Sequence, residues 1–187
     1  MTIRSFIAID IEEDAIIQKI REIQESLAAA NADIKFVEPQ NLHYTLKFLG
    51  DVDEGVIEDI TAELKKIKFP KFKMKIEKLG AFPTIARIRV IWVGASTGAE
   101  NMIELNREIE DYLEKFRFKR ENRKFTPHLT IGRVRSGKHK DRLVSVIQNL
   151  KDIEIGEIKV TCFKLKKSTL TPKGPIYETL ATFYLEG

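Results

Sequence analysis

The chain has 187 residues, of which 43% are hydrophobic and 32% are charged, so it can bury a core in one domain or in two closely packed lobes. Cys162 is the single cysteine, which excludes an intramolecular disulfide and a four-thiolate metal site and favours a cytoplasmic location. The net charge of +4 is compatible with a polyanionic partner, although a surface of mixed charge is mostly solvated. The first ten residues are only briefly apolar and include Arg4 and Asp10, so we expect neither a signal peptide nor a membrane association.

The first half of the chain alternates between strand and helix patterns. The predicted elements are a strand at 3–10, a helix at about 12–29, strands at 34–38 and 42–48, a helix that opens at Asp51 and Asp53 and ends before Pro70, and strands at 72–77 and 86–94. Gly80 to Thr84 is predicted as a loop between the last two strands because it contains a glycine and a proline.

The second half repeats this alternation. The predicted elements are a helix at about 98–117 with a capping box at Thr97 and Glu100, a strand around His128, a helix at about 140–150, and strands at 153–165 and 175–185 joined through residues 166–175. The matching order of elements predicts one domain with an internal pseudo-repeat, roughly 1–95 and 96–187. Consecutive strands with short connections favour antiparallel sheets that carry helices on one face.

A short motif occurs once in each half, as His43-Tyr44-Thr45-Leu46 and as His128-Leu129-Thr130-Ile131. In a strand, alternate side chains point to opposite faces, so each motif can bury its apolar pair and present an imidazole beside a hydroxyl. The two histidines lie 85 positions apart (128 − 43), close to half the chain. A duplication would therefore place both strands about a pseudo-twofold axis, facing each other across a groove between the lobes.

Two imidazoles in one groove fit an acid and base pair for metal-free phosphoryl transfer. One neutral ring would take a proton from the attacking oxygen and the other would protonate the leaving oxygen, while Thr45 and Thr130 would hold phosphate oxygens. The competing use of two histidines is a metal site. That site needs a third ligand, and neither Cys162 nor His139 is obviously placed to supply one. The sequence therefore predicts neither a metal nor another cofactor.

Together with their surroundings, the two motifs resemble the two-histidine phosphoesterase superfamily, in its 2′-5′ RNA ligase or RNA 2′,3′-cyclic phosphodiesterase branch. Supporting stretches are Arg4 to Ile9, Leu46 to Gly50, Ile91 to Gly94, Phe125 to Pro127, Gly132-Arg133, Ser168 to Leu170 and Gly174 to Tyr177. The resemblance implies an α+β, bilobal, duplicated fold. In it, two pseudo-symmetric antiparallel sheets line a central groove and the helices lie on the outer faces.

The resemblance also implies hydrolysis of an RNA 2′,3′-cyclic phosphate to a 2′-phosphomonoester without metal or cofactor. His43 and His128 would be the acid and base, with His128 preferred as base, and Thr45 and Thr130 would bind the phosphate. Arg133 is a candidate phosphate contact, but strict alternation points it away from the groove unless Gly132 bends the strand; a surface arginine is the alternative. The expected partner is RNA or an oligonucleotide with a cyclic phosphate end, such as tRNA halves, and the expected state is a monomer.

Several other residues stay open at this stage. Lys47 is expected to be a solvated lysine unless it lines the groove, and Phe48, Tyr44 and Tyr177 are expected in the core. The basic run at Arg117, Lys119, Arg120, Arg123 and Lys124 is either a solvated linker or a contact for an RNA backbone. Two further functions remain as alternatives, namely reversible 2′-5′ ligation of RNA by the same histidines and a non-catalytic RNA- or nucleotide-binding module.

Overall fold

The computed structural model describes residues 1–121 and 123–187. The β-strands are β1 (Thr2–Asp10), β2 (Ile34–Phe36), β3 (His43–Asp53), β4 (Phe72–Thr84), β5 (Arg87–Ala95), β6 (His128–Val134), β7 (Glu154–Val160), β8 (Cys162–Thr171) and β9 (Gly174–Tyr184). The α-helices are α1 (Asp14–Ala28), α2 (Glu54–Leu64), α3 (Ala99–Tyr112) and α4 (Lys140–Leu150), and single 3₁₀ turns occur at Pro39–Asn41 and Glu114–Phe116.

The first motif strand is longer than the sequence predicts. β3 continues through Gly50 and ends at Asp53, so Asp51 belongs to the strand and does not open α2. The reason is its pairing with β1, which continues as far as Thr2 opposite Asp53. Asp53 does cap α2, because its carboxylate accepts a hydrogen bond from the backbone N–H of Gly55 at 3.1 Å.

Two segments predicted as loops are strand. The stretch from Gly80 to Thr84 continues β4 in a hairpin with β5, and Pro83 is tolerated there because it lies at a register shift, where a bulge interrupts the ladder. Residues 166–171 likewise continue β8, which pairs with β9 up to Thr171 opposite Gly174. The alternation of charged and apolar residues was too weak in both places to reveal the pairing.

The longest predicted helix is shorter than expected. Gly98 precedes α3 as its N-cap with φ 86°, and no side chain caps this helix end, so the predicted capping box at Thr97 and Glu100 is wrong. At the other end, α3 stops at Tyr112 and the chain continues as a 3₁₀ turn to Phe116. The apolar stripe continues through both segments, which explains the overestimate.

The strands form one curled antiparallel sheet in the order β7-β4-β5-β6-β3-β1-β8-β9, with β2 added beside β6. Between the two central strands, only Tyr44 of β3 and Leu129 of β6 are registered as partners. This narrow junction separates one sheet half, β4 to β7, from the other, which contains β1, β3, β8 and β9. The predicted fold class is confirmed, and the boundary near residue 95 stays a prediction.

Each sheet half combines strands from both ends of the chain. β1 pairs with β3 on one side and with β8 on the other, whereas β5 pairs with β4 and β6. The helices also pack on strands from the other half of the sequence. α1 packs against β6 and β7, and α3 packs against β3. Their apolar stripes form the core with the outer sheet face, and the opposite face is left for the groove. None of the helices described is long and apolar enough to cross a bilayer.

We expect Gly98→Ala to destabilise the fold strongly. Gly98 has a left-handed φ, and a Cβ there would clash with the carbonyl oxygen of Lys73. The strain and the clash together should cost about 2 kcal/mol or more, which lowers the melting temperature of a chain of this size by roughly 4 to 8 °C. Thermal unfolding followed by circular dichroism measures this shift.

The matched control is Gly137→Ala, because nothing lies within 4 Å of the added methyl group and Gly137 has no positive φ. Equal melting temperatures for the two variants would contradict the steric explanation.

Candidate functional site

A groove of about 950 Å³ lies between the two sheet halves and is lined by both motifs. Its described lining contains ten lysines and arginines against three glutamates, so the groove is more basic than the chain as a whole. Such a cleft attracts anions before any specific contact is made. The cations are Arg4, Lys35, Lys47, Arg107, Lys119, Arg120, Arg123, Lys124, Arg133 and Lys173.

The pairing of Tyr44 with Leu129 sets the geometry of the motif residues. Because the two strands are antiparallel and share this register, His43 lies opposite Thr130, and Thr45 lies opposite His128. Tyr44 and Leu129 are fully buried on the other face. The two histidines therefore occupy one diagonal of a four-residue arrangement and the two threonines occupy the other. Each histidine has a hydroxyl both beside it on its own strand and across from it.

Hydrogen bonds hold the ring of His43 in one orientation. Its Nδ1 lies 2.7 Å from the carbonyl oxygen of Asn41, and its Nε2 lies 3.0 Å from Oγ1 of Thr45. Since a carbonyl can only accept, Nδ1 carries a proton, and the proton exchanged in chemistry belongs to Nε2. The ring also contacts Phe6 and Tyr177 at centroid distances of 5.1 and 5.3 Å.

His128 is held in the same way. Its Nδ1 lies 3.0 Å from the carbonyl oxygen of Thr126, again two residues earlier in the chain, so Nε2 is once more the free nitrogen. The edge of Phe82 supports the ring at a centroid distance of 5.1 Å and an interplanar angle of 89°. Both motifs thus fix the same tautomer with a local backbone carbonyl.

Charged side chains of the neighbouring strands β1 and β8 flank His43. Asp10 is its partner in the β1–β3 register, and the Asp10 carboxylate accepts hydrogen bonds from Lys166 at 2.8 Å and from Lys164 at 3.2 Å. Burial lowers the pKa of His43, and the positive charges of Lys166 and Arg133 lower it further. The hydrogen bond to Asn41 and the charge of Asp10 act in the opposite direction without cancelling this shift.

Two β-bulges at matching positions redirect the ends of the motif strands. β3 shifts register against β1 at Leu46, and β6 shifts against β5 at Ile131. Each bulge adds one residue and reverses the alternation beyond it, so Arg133 reaches the groove. This is the bend on which the expectation for Arg133 depended. Its role as a phosphate contact stays a prediction.

The bulge at Leu46 of β3 overturns the expectation for Phe48, which is exposed in the groove and not in the core. Lys47 is also unlike the expected solvated lysine, because it is 6% exposed and pairs with Glu110 at 2.6 Å. Tyr44 is in the core as expected, and burial raises the pKa of its hydroxyl. Tyr177 lines the groove, against expectation.

The basic run lies along the groove, where Lys119, Arg120, Arg123 and Lys124 are part of the lining, whereas Arg117 is not. Arg120 is tied to Asp111 at 3.0 Å, and the Lys119 carbonyl accepts from Lys47 at 3.4 Å, so part of this segment is anchored to the protein. His139 is exposed on another surface and does not join the motif histidines. No pattern in the sequence pointed to Asp10, Lys166 or Phe6, because their proximity depends on pairing between distant strands.

Among the described residues, no third metal-ligating side chain accompanies the two motif histidines. Throughout residues 1–121 and 123–187, no group of three or more His, Cys, Asp or Glu side chains is placed to hold a metal ion. Metal-free catalysis itself stays a prediction.

A family model described as LigT like Phosphoesterase matches residues 9–92 and again residues 93–177. The chain belongs to this phosphoesterase family. The family expected from the two motifs is thereby confirmed, and each matched segment contains one of them. An RNA 2′,3′-cyclic phosphodiesterase of Methanocaldococcus jannaschii is 43% identical over 177 residues, covering 95% of this chain and 98% of the relative. A protein of the same name from Methanothermobacter thermautotrophicus is 38% identical over 187 residues, covering 99% and 100%.

Solved structures show the same fold. TT0787 of Thermus thermophilus has a TM-score of 0.82 at 26% identity, with 98% of each chain covered. The LigT protein of E. coli in complex with 3′-AMP has a TM-score of 0.78 at 22% identity, with 100% of each chain covered. These similarities extend over the whole phosphoesterase and leave no large segment unmatched.

We expect Lys166→Met to raise the pKa of His43. Methionine fills the volume of the lysine stem, so burial is retained, while a positive charge that opposes protonation of His43 is removed and Asp10 loses one counter-charge. Asp10→Asn should shift the pKa in the opposite direction. Titration of the His43 ring by NMR between pH 4 and 9 measures both shifts directly.

Lys47→Met is the matched control, because Lys47 is as buried as Lys166 but pairs with Glu110. The pKa of His43 should be the same in this variant as in the wild type. An unchanged or lowered pKa in Lys166→Met would show that the buried lysine does not control this ring.

Proposed function

We propose that this phosphoesterase hydrolyses RNA 2′,3′-cyclic phosphates to 2′-phosphomonoesters with His43 and His128 as its acid and base, without metal. One observation carries the proposal. Two histidines from the adjacent, paired strands β3 and β6 have Nδ1 occupied by a backbone carbonyl, which leaves both Nε2 atoms for chemistry in one basic groove. The names of relatives that are 38% and 43% identical support the same reaction.

The reaction needs one proton taken and one given. The base removes a proton from water as the water oxygen attacks phosphorus, and the bond from phosphorus to O3′ breaks. The electron pair of that bond goes to O3′, which the acid protonates, and the phosphate remains on O2′. Thr45 and Thr130 lie on the second diagonal of the arrangement, where their hydroxyls can donate to the non-bridging oxygens as charge develops there.

The surroundings of His43 favour it as the base. A base must begin neutral, and burial together with Lys166 and Arg133 lowers the pKa of His43 and so favours its neutral form. This assignment reverses the preference from the sequence, where His128 is the base. In the reverse direction the roles exchange, so 2′-5′ ligation of RNA ends is available to the same pair, with hydrolysis favoured in dilute solution.

An RNA substrate fits the charge of the groove. Lysines and arginines dominate its lining, and the basic run places Lys119, Arg123 and Lys124 where the phosphates of a longer chain can lie. Arg133 is proposed as a contact to the reacting phosphate. tRNA halves as the natural substrate, a monomeric state and a cytoplasmic location stay predictions.

We expect His43→Ala and His128→Ala each to lower kcat on a 2′,3′-cyclic phosphate RNA by roughly 10³-fold, because each removes one proton transfer. The assay follows 2′-phosphate formation in excess chelator. His139→Ala is the control, since it removes the third histidine away from the groove. Full activity in either motif variant would exclude the proposed pair. Tight binding of the RNA by the wild type without turnover from pH 5 to 9 would instead favour a non-catalytic binding module.

The dependence of kcat/KM on pH should be bell-shaped, with its rising limb below pH 6.5. The rising limb follows loss of the proton from the base, and the pKa of His43 is lowered from its ordinary value of 6.5. Steady-state kinetics on a short cyclic phosphate oligonucleotide give the profile. A rising limb above pH 7 would contradict His43 as the base.

A further inference from the structure

Each motif bulge is held by the amide side chain of a helix packed on the sheet. The extra residue of the bulge in β3 is Leu46, and its carbonyl oxygen accepts a hydrogen bond from Nδ2 of Asn106 on α3 at 2.7 Å. The extra residue of the bulge in β6 is Ile131, and its carbonyl oxygen accepts from Nε2 of Gln24 on α1 at 3.0 Å. Since a carbonyl can only accept, the amide nitrogen faces it in both places. The two bulges are therefore held by the same kind of hydrogen bond.

The two amides act across the halves of the chain. Gln24 lies in the first segment that matches the phosphoesterase family model, yet it holds the bulge of the second motif, 107 positions away. Asn106 lies in the second matched segment and holds the bulge of the first motif, 60 positions away. The same contact thus occurs once for each motif. A packing accident at one site would not produce this correspondence.

The bulges need such support because a bulge leaves its extra residue outside the regular ladder. β3 and β6 are registered only at Tyr44 and Leu129, so neither strand continues the ladder of the other at its bulge. At Ile131, the backbone N–H of Val37 also donates to the carbonyl oxygen at 3.0 Å, and Nε2 of Gln24 donates to the carbonyl oxygen of Val37 at 3.0 Å. Side-chain amides therefore take the place of ladder hydrogen bonds where the motif strands bend.

We propose that Gln24 and Asn106 are positioning residues of the phosphoesterase site, because the bulge that each one holds sets the direction of a neighbouring groove residue. Arg133 follows the bulge that Gln24 holds, and Thr45 directly precedes the bulge that Asn106 holds. The inference rests on the proposed function and adds how the proposed phosphate contacts are aligned. Gln24 acts through Arg133, and Asn106 acts through Thr45.

A small displacement at either position affects the proposed chemistry. Oγ1 of Thr45 lies 3.0 Å from Nε2 of His43, the nitrogen from which a proton is exchanged. The positive charge of Arg133 lowers the pKa of His43, so a change in the place of Arg133 is measurable at that ring. Misplacement of a site residue by about 1 Å can lower a rate roughly 100-fold.

The test of Gln24 does not depend on turnover. Gln24→Met removes both amide hydrogen bonds but keeps the charge and the approximate volume of the side chain. Arg133 then loses its fixed position, and because its charge opposes protonation of His43, the pKa of His43 should rise. Titration of the His43 ring by NMR measures the change. Gln18→Met is the control, since it makes the same substitution at an exposed position of α1 and should leave the pKa unchanged.

A double-mutant cycle separates positioning from a general loosening of the fold. In an Arg133→Met background, Gln24→Met should raise the pKa of His43 no further, because the charge through which it acts is gone. Thermal unfolding confirms that each variant is folded. If Gln24→Met does not fold, Gln24→Ala replaces it, since a water molecule can then reach the two carbonyl oxygens. An unchanged or lowered pKa in the Gln24 variant, or an equal rise with and without Arg133, would overturn its role.

The test of Asn106 uses kinetics on a cyclic phosphate oligonucleotide. Asn106→Leu should lower kcat roughly tenfold and change KM less than about twofold, because the hydroxyl of Thr45 is needed most as charge develops. In a Thr45→Ala background the same change should cost little more. Asn101→Leu, in the first turn of α3 and outside the groove lining, is the control. A raised KM with unchanged kcat, or a full loss without Thr45, would show that Asn106 does not act through Thr45.

The two readouts distinguish this inference from the proposed function. If the pKa of His43 responds to Gln24 through Arg133 but the wild type does not hydrolyse a cyclic phosphate, the positioning by Gln24 stands and the proposed activity fails. If the wild type is active and the pKa does not respond, the activity stands and the positioning by Gln24 fails.

Discussion

The pairing of Tyr44 with Leu129 is the contact on which the site depends. It is the single registered pair between β3 and β6, and it joins the two halves of the sheet. Both side chains are fully buried, and the Tyr44 hydroxyl donates to the carbonyl of Gly94 at 3.1 Å. A shift of the register by one residue would turn every motif side chain towards the opposite face. Tyr44 and Leu129, each buried between a histidine and a threonine in the sequence, therefore align the motif side chains in the groove.

The surroundings of the two histidines differ although their backbone hydrogen bonds match. His43 is flanked by the partly buried carboxylate of Asp10, with its two lysine partners, and by the rings of Phe6 and Tyr177, whereas His128 contacts the ring of Phe82. Equivalent local geometry gives both rings the same tautomer. The side chains around each ring differ, and in the proposed reaction this gives the two identical histidines distinct surroundings, as separate acid and base roles require.

Local patterns were sufficient to predict much of this structure. Period-two alternation revealed His43 and Thr45 on the face opposite Tyr44, and helical spacing revealed the buried stripe of α1. The misses around the groove share a physical cause, which is that a bulge depends on the partner strand. Alternation alone therefore placed Phe48 in the core. Lys166 next to Asp10 was equally invisible, since 156 positions separate the two residues along the chain. Sequence patterns report local geometry, whereas pairing between distant strands determines these contacts.

The exchange of strands between the sheet halves affects the order in which the protein can assemble during synthesis. β1 is made first, yet one of its neighbours is β8, where Ser5 pairs with Lys167 across 162 positions (167 − 5). On the ribosome, β1 and β3 can pair early, but the remaining edge of β1 must wait for nearly the whole chain to emerge. During that interval the unpaired edge of β1 is open to other extended chains. The pairing order of the sheet therefore leaves that edge of β1 uncovered until β8 has been synthesised.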